Sequence, residues 1–115
     1  MKFSNNLQKN VEYLKSVLSS DDVIFMPVSF GEKNASIIFI TDIVDKQQIS
    51  EFIIKPLKVF YSDLNTEKEL KNAFLSPDVK EVFSLGDCIT EIVKGNTILL
   101  FEGELLAFSF ALKKI

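Results

Sequence analysis

Two stretches of the chain, residues 37–40 and 98–101, are apolar at every position. A strand of this kind has no polar side to turn toward water, so it is usually covered on both faces. With 115 residues, 47% of them hydrophobic, the chain is long enough for one core and too short for two. We therefore expect one α+β (α/β) domain over residues 1–115. Either its helices cover the sheet fully, or a remaining apolar patch binds another domain.

Two hairpins would supply the strands of the sheet. The first covers residues 23–41 and turns at Gly31, and the second covers residues 97–110 and turns at Gly103. Because Pro27 has no N–H to donate, its strand should lie at a sheet edge or break there. These patterns predict a mixed sheet of about four strands.

Four to five helices are expected around this sheet. Apolar periodicity predicts the first over residues 4–18, with Ser4 or Asn5 as its cap. The others begin at Asp45, at the capping box of residues 66–69 and at Ser84, and the element at residues 79–83 is helical or extended. The last helix should bury Cys88, Ile89, Ile92 and Val93 and close at Gly95 in a left-handed conformation.

The helix that begins at Asp45 contains a proline. Asp45 and Gln48 form a capping-box pattern, and the apolar face expected against the sheet consists of Ile49, Phe52, Ile53 and Leu57. Pro56 lies within this face, so the helix should kink or stop near Lys55.

Composition excludes several functions. The net charge is −3 and the sequence contains neither arginine nor histidine, so a nucleic-acid reader, an imidazole base and a histidine-based zinc site are not expected. The single cysteine, Cys88, lies among apolar residues, which favours a buried structural thiol. We predict neither an enzyme nor a bound metal or cofactor.

Asp42 and Asp45 are the two acidic residues that most resemble a functional carboxylate pair. Two acids three residues apart at a strand-to-helix turn could bind a hard cation, but the third ligand is missing and turn and cap roles account for both. If the domain binds a small ligand, a hollow between the hairpins near Asp42, Asp45 and Lys46 is the expected place.

The stretch IIFITDIVDKQQISEFIIKPL, residues 37–57, resembles the GerA family of spore germination proteins. It follows the family's phrase Y-I-D-G-L-V-D-K loosely and its phrase I-x-E-F-I-L-K-P-L closely. Residues 91–103, EIVKGNTILLFEG, look like the family's helix, glycine, strand and second glycine. The resemblance thus marks an interaction or structural motif at Phe52, Lys55, Pro56, Gly95 and Gly103.

The resemblance also shows two departures. The arginine of the family's strand falls at Met26, and its Asp-Gly pair at Thr41 and Asp42.

The resemblance implies the first soluble subdomain of a germinant receptor A subunit, cut from a longer chain that continues into a second soluble subdomain and membrane helices. The expected partners are a transporter-like B subunit, a lipoprotein C subunit and the rest of the chain, but no nucleic acid. The expected location is the spore inner membrane, with this domain on its cytoplasmic (spore core) side. Its role would be assembly and signal transmission, the alternative being direct binding of a nutrient.

Overall fold

The computed structural model describes residues 1–62, 70–74 and 78–114. Its strands are β1 (Val23–Phe30), β2 (Lys33–Ile40), β3 (Val79–Val82), β4 (Thr97–Phe101) and β5 (Ala107–Phe110). Its helices are α1 (Leu7–Val17), α2 (Lys46–Ile49), α3 (Lys55–Ser62) and α4 (Leu85–Val93). A π-helical segment, Ser50–Ile54, joins α2 to α3, and we call this continuous run the central helix. A 3₁₀ turn covers Leu70–Ala73.

All strand pairs of the sheet are antiparallel, in the order β1-β2-β4-β5-β3. The α+β class is confirmed, but the expectation of a mixed sheet with about four strands was wrong in detail. The additional strand is β3, the element that sequence left as helical or extended. It joins the sheet because β5 pairs with β4 on one side and with β3 on the other.

The first hairpin lies at a sheet edge, as Pro27 predicts. The eight residues of β1 pair with β2 alone, in a register that places Pro27 opposite Ser36. The turn is shorter than expected, because β2 already begins at Lys33, and Gly31 adopts a φ of +65°. A proline is tolerated here because an edge strand does not need every N–H for pairing.

Helices cover both faces of the sheet centre. On one face the central helix packs over Ile37, Phe39, Leu99 and Phe101. On the other face, α1 and α4 pack over Ile38, Ile98 and Leu100. Every residue of β4 is buried. Double coverage of the two all-apolar strands is therefore confirmed, and it produces three layers with the sheet in the middle.

The central helix differs from expectation in two ways. Of the predicted kink or stop near Lys55, the stop does not occur, because the helix continues through Pro56 to Ser62; the observed irregularity is the π-helical segment immediately before the proline. Ile49, Ile53 and Leu57 are buried as expected, whereas Phe52 is 43% exposed. A π turn contains more residues than an α turn. Residues four apart, such as Ile49 and Ile53, therefore lie on one face, whereas Phe52, three residues after Ile49, is rotated away from that face.

Other helix ends follow the sequence with small corrections. Asn6, not Ser4 or Asn5, caps α1, and its side-chain oxygen accepts from the N–H of Lys9 at 3.0 Å. Ser84 caps α4 as predicted, with its hydroxyl oxygen 3.0 Å from the N–H of Asp87. Val93, expected to be buried, is 65% exposed.

One predicted helix start falls in the segment between α3 and β3. The predicted capping box at residues 66–69 lies outside the described residues. Within the described parts of the chain, none of the helices has the length and apolarity needed to cross a membrane.

Candidate functional site

The family-like turn after β2 is hydrogen-bonded to the segment after β5. The N–H of Asp45 donates to the carbonyl of Leu112 at 2.9 Å, and the N–H of Lys114 donates to the carbonyl of Ile43 at 2.8 Å. Val44 and Lys113 form an isolated antiparallel bridge between these bonds. Val44 is fully buried and Leu112 is 3% exposed. Two segments far apart in sequence thus form a short ladder.

Gly95, the residue that closes α4, completes this corner. Its φ of +95° belongs to the region that side chains rarely adopt, which confirms the predicted left-handed closure. A Cβ built on it would lie 2.9 Å from Cγ2 of Ile43 and 3.0 Å from Cε of Lys113. We call residues 41–46, Gly95 and residues 112–114 the three-segment corner. Gly95 lets its three segments meet at van der Waals distance.

The structure brings the predicted ligand-binding residues Asp42, Asp45 and Lys46 into this corner. Asp42 adopts a φ of +72°, a left-handed conformation that aspartate tolerates better than most residues. It occupies the position of the glycine in the family's phrase, which explains why a glycine suits that position. The Asp45 carboxylate caps α2 by accepting from the N–H of Gln47 at 3.0 Å. The turn and cap roles are therefore observed, while ligand binding here stays a prediction.

The remaining motif residues have structural placements. Lys55 is exposed and forms an ion pair with Glu51, one helical turn earlier. Gly103, with a φ of +82°, turns β4 toward β5 and donates its N–H to the carbonyl of Asn5 at 2.9 Å. Among residues 1–62, 70–74 and 78–114, no group of three or more His, Cys, Asp or Glu side chains is arranged to hold a metal ion.

A buried carboxylate lies beside the corner, at Glu91 of α4, which is 4% exposed. Its Oε1 accepts from Oγ of Ser109 at 2.8 Å and from Nδ2 of Asn96 at 3.0 Å. Its Oε2 lies 3.0 Å from Nζ of Lys80 and 3.6 Å from Nζ of Lys94. One carboxylate therefore joins α4 to β3, to β5 and to the turn that contains Gly95.

This network sets the protonation state of Glu91. Burial alone would raise its pKa, but the hydrogen bonds from Lys80, Ser109 and Asn96 and the charge of Lys80 outweigh burial and lower the pKa from 4.5 to about 2. Glu91 is therefore ionised at neutral pH, and its charge is neutralised in place by two lysines. The ionised Glu91 carboxylate therefore holds neighbouring backbone segments in place and has no proton to donate in catalysis.

Cys88, one turn before Glu91, is completely buried. Burial, together with the charges of Asp87 and Glu91, raises the pKa of its thiol to about 12. The thiol therefore stays protonated at neutral pH and is a poor nucleophile. The expectation of a buried structural thiol is confirmed.

Sequence reasoning did not single out Glu91, Lys80, Asn96 or Ser109. One signal was available, because Glu91 lies three residues after Cys88 and next to Ile92, on the apolar face of α4. A glutamate at such a position is rarely buried unless it is paired. Its partners on β3 and β5 are set by strand pairing, which spacing along the chain does not reveal.

The Bacillus/Clostridium GerA spore germination protein family matches residues 9–115 of the chain. The chain belongs to the GerA family. A curated relative, spore germination protein KA of Bacillus subtilis (strain 168), is 32% identical over 107 residues. That match covers 87% of this chain and 20% of the relative, so the chain spans about a fifth of the relative's length.

A solved structure shows the same fold. It is the crystal structure of the N-terminal domain of the A subunit of the Bacillus megaterium spore germinant receptor GerK3, with a TM-score of 0.78 and 19% sequence identity. The match covers 96% of this GerA family chain and 48% of the solved chain. The three-layer arrangement therefore corresponds to about half of that solved domain.

Proposed function

We propose that this chain is part of the N-terminal domain of a spore germinant receptor A subunit and acts in receptor assembly and signal transmission during nutrient-triggered germination. The observation that carries the proposal is the ladder of the three-segment corner. It joins the family-like turn at residues 41–46 to residues 112–114 through backbone hydrogen bonds at 2.8 and 2.9 Å.

The corner provides a mechanical connection. Asp45 donates its N–H to Leu112 and, through its carboxylate, caps the central helix. A displacement of residues 112–114 would therefore be transmitted to the beginning of the central helix. The backbone of Gly95 packs directly against Ile43 and Lys113. Independent movement of any of the three segments would therefore create either a void or a clash.

The proposed partners follow from the same family assignment. They are a transporter-like B subunit, a lipoprotein C subunit and further parts of the same chain, in the spore inner membrane, with this domain on the cytoplasmic side. Support comes from the two similar proteins, a spore germination protein and the N-terminal domain of a receptor A subunit. We propose no catalytic activity, which agrees with the protonated Cys88 thiol and the paired Glu91 carboxylate.

The ladder can be tested with two variants at one position of the full-length protein. Lys114→Pro removes the N–H that donates to Ile43, whereas Lys114→Ala removes the side chain and keeps that N–H. In spores that depend on this protein for their response to a nutrient, Lys114→Pro should slow germination on the order of tenfold, the effect of about 1.4 kcal/mol. Lys114→Ala should respond like the wild type.

Membrane abundance of the A subunit and its co-subunits is measured in the same spores. Loss of the co-subunits in Lys114→Pro alone would support a role in assembly, and a slow response at normal abundance would support signal transmission. A normal germination rate in Lys114→Pro, or equal defects in both variants, would show that the ladder carries neither role.

A further inference from the structure

A groove lies between α1 and the first hairpin, on the sheet face opposite the central helix. Its volume is about 420 Å³, and its lining includes Val11, Lys15, Phe25, Pro27, Ser36 and Glu102. Small-molecule sites commonly measure about 300–1,000 Å³ and combine an apolar wall with a few polar groups. None of these residues belongs to the three-segment corner.

Ser36 is a mostly buried residue whose hydroxyl opens onto this groove. It is 5% exposed, and it shares its side of β2 with Ile38, which packs in the core beneath α1. Within the described parts of the chain, no hydrogen bond satisfies its side chain, although the groove reaches it. The Ser36 oxygen is not among the fully buried side-chain atoms left without a partner in the described residues, so it is open to the groove, where water or an occupant can hydrogen-bond to it.

Lys15 places a positive charge at the same groove. Its Nζ lies 5.5 Å from the centroid of the Phe25 ring, and no carboxylate of the described residues pairs with it. The acidic lining residue, Glu102, is already used, because its Oε2 accepts from the N–H of Leu7 at 2.7 Å. The groove therefore contains the positive charge of Lys15, which has no carboxylate partner among the described residues, and the carboxylate of Glu102, which is hydrogen-bonded to the start of α1.

We propose that this groove binds a small monocarboxylate with an apolar ring or branched chain. The carboxylate pairs with Lys15, the apolar body lies on Val11, Phe25 and Pro27, and a polar atom reaches the Ser36 hydroxyl. Glu102 disfavours a second negative charge, so phosphorylated or dicarboxylic compounds bind less well. This inference is independent of the proposed function, because the corner and the groove share no residue.

Phenylacetate is a suitable probe, and phenylacetamide is its uncharged match in shape. Amide chemical shifts of the 115-residue chain are followed while each compound is added. Phenylacetate should produce saturable shifts centred on Val11, Lys15, Phe25 and Ser36. Phenylacetamide should bind several-fold more weakly, since an exposed ion pair contributes up to about 1 kcal/mol, or about fivefold.

Variants separate this site from general attraction of anions to lysines. Lys15→Gln should remove the preference for phenylacetate over phenylacetamide, and Ser36→Ala should weaken both compounds. Lys9→Gln, an exposed lysine of α1 outside the groove lining, should change neither. Shifts that stay linear and spread over many lysines, or an equal effect of Lys9→Gln and Lys15→Gln, would overturn the proposal.

Discussion

The central helix and α4 both contain residues of the family-like motifs, yet they are built differently. In α4, nine residues form a regular helix that begins at the Ser84 cap and closes at Gly95. The central helix changes from α to π and back to α, with Pro56 just after the change. Its π segment is marked by the N–H of Lys55, which donates to the carbonyl of Ser50, five residues earlier.

The proline explains the difference. In a regular α-helix the ring of Pro56 would clash with the carbonyl of Phe52, four residues earlier, and would leave that carbonyl without a donor. A wider turn before the proline relieves this clash and lets the helix continue. The buried residues then recur every four positions, at Ile49, Ile53 and Leu57. Caps and glycines thus indicate where a helix begins and ends, whereas an internal proline changes which residues face the core.

The largest expected effect tests the face of the central helix. Leu57 is fully buried, so Leu57→Ala should lower the free energy of unfolding by about 3–4 kcal/mol, as in other buried leucine truncations. Phe52 is 43% exposed, so Phe52→Ala should cost about 1 kcal/mol or less. Chemical denaturation of both variants measures the two values.

Comparing the stability losses of these two variants distinguishes a helix with a π segment from a helix that is α throughout. If the helix were α throughout, Phe52 would share the buried face and its truncation would cost about 3 kcal/mol or more. Equal losses for the two variants would therefore remove the contrast between the central helix and α4.

The second prediction concerns the carboxylate that fixes α4 to the sheet. Glu91→Gln keeps the shape but removes the charge, and the lowered pKa of Glu91 implies a loss on the order of 3 kcal/mol at most at pH 7. Because Gln can still accept one hydrogen bond, we expect about 2 kcal/mol. Since the folded pKa is below the unfolded one, this stabilisation is complete above pH 4.5 and is lost as the pH falls through about 2.

Urea denaturation of wild type and variant between pH 7 and pH 2 provides the measurement. Glu81→Gln is the matched control, because Glu81 is an exposed glutamate of β3. A wild-type advantage over Glu91→Gln that stays constant down to pH 2, or an equal loss in the control, would contradict the buried network.

The smallest effect tests the contact at the end of α4. Gly95 and Gly31 both have positive φ, so an alanine at either position should cost about 1–2 kcal/mol from backbone strain alone. Only at Gly95 would the new Cβ also meet Ile43 and Lys113, whereas nothing lies within 4 Å of a Cβ at Gly31. Gly95→Ala should therefore be the less stable variant by about 1 kcal/mol. Equal melting temperatures would mean that the corner is looser than the structure shows.

Much of the fold could be predicted from local chemistry. The all-apolar runs at residues 37–40 and 98–101 indicated a doubly covered sheet, Pro27 indicated an edge, and Gly95 indicated a left-handed closure. Each of these signals depends on backbone or burial requirements of a few adjacent residues. The exposure of Phe52 could not be predicted, because the periodicity assumed a regular α-helix.

The candidate site was predictable only in part. The turn and cap roles of Asp42 and Asp45 follow from their own backbone positions. The partner of that turn, residues 112–114, lies about seventy residues away in the sequence and is found only once the ladder is seen. The same holds for Ser109 and Lys80, which reach Glu91 through the order of the strands.

That strand order has a consequence for biosynthesis. β3 is made before β4 and β5, yet its pairing in the sheet is to β5 alone. A ribosome adds about 5–20 residues per second, so β3 stays unpaired on the order of a second or more before β5 has been synthesised. Its Lys80 and Glu81 give the waiting strand charges of both signs, which disfavour pairing with a neighbouring nascent chain. We therefore expect the Lys80 charge, which pairs with Glu91 in the folded domain, also to disfavour such contacts during synthesis.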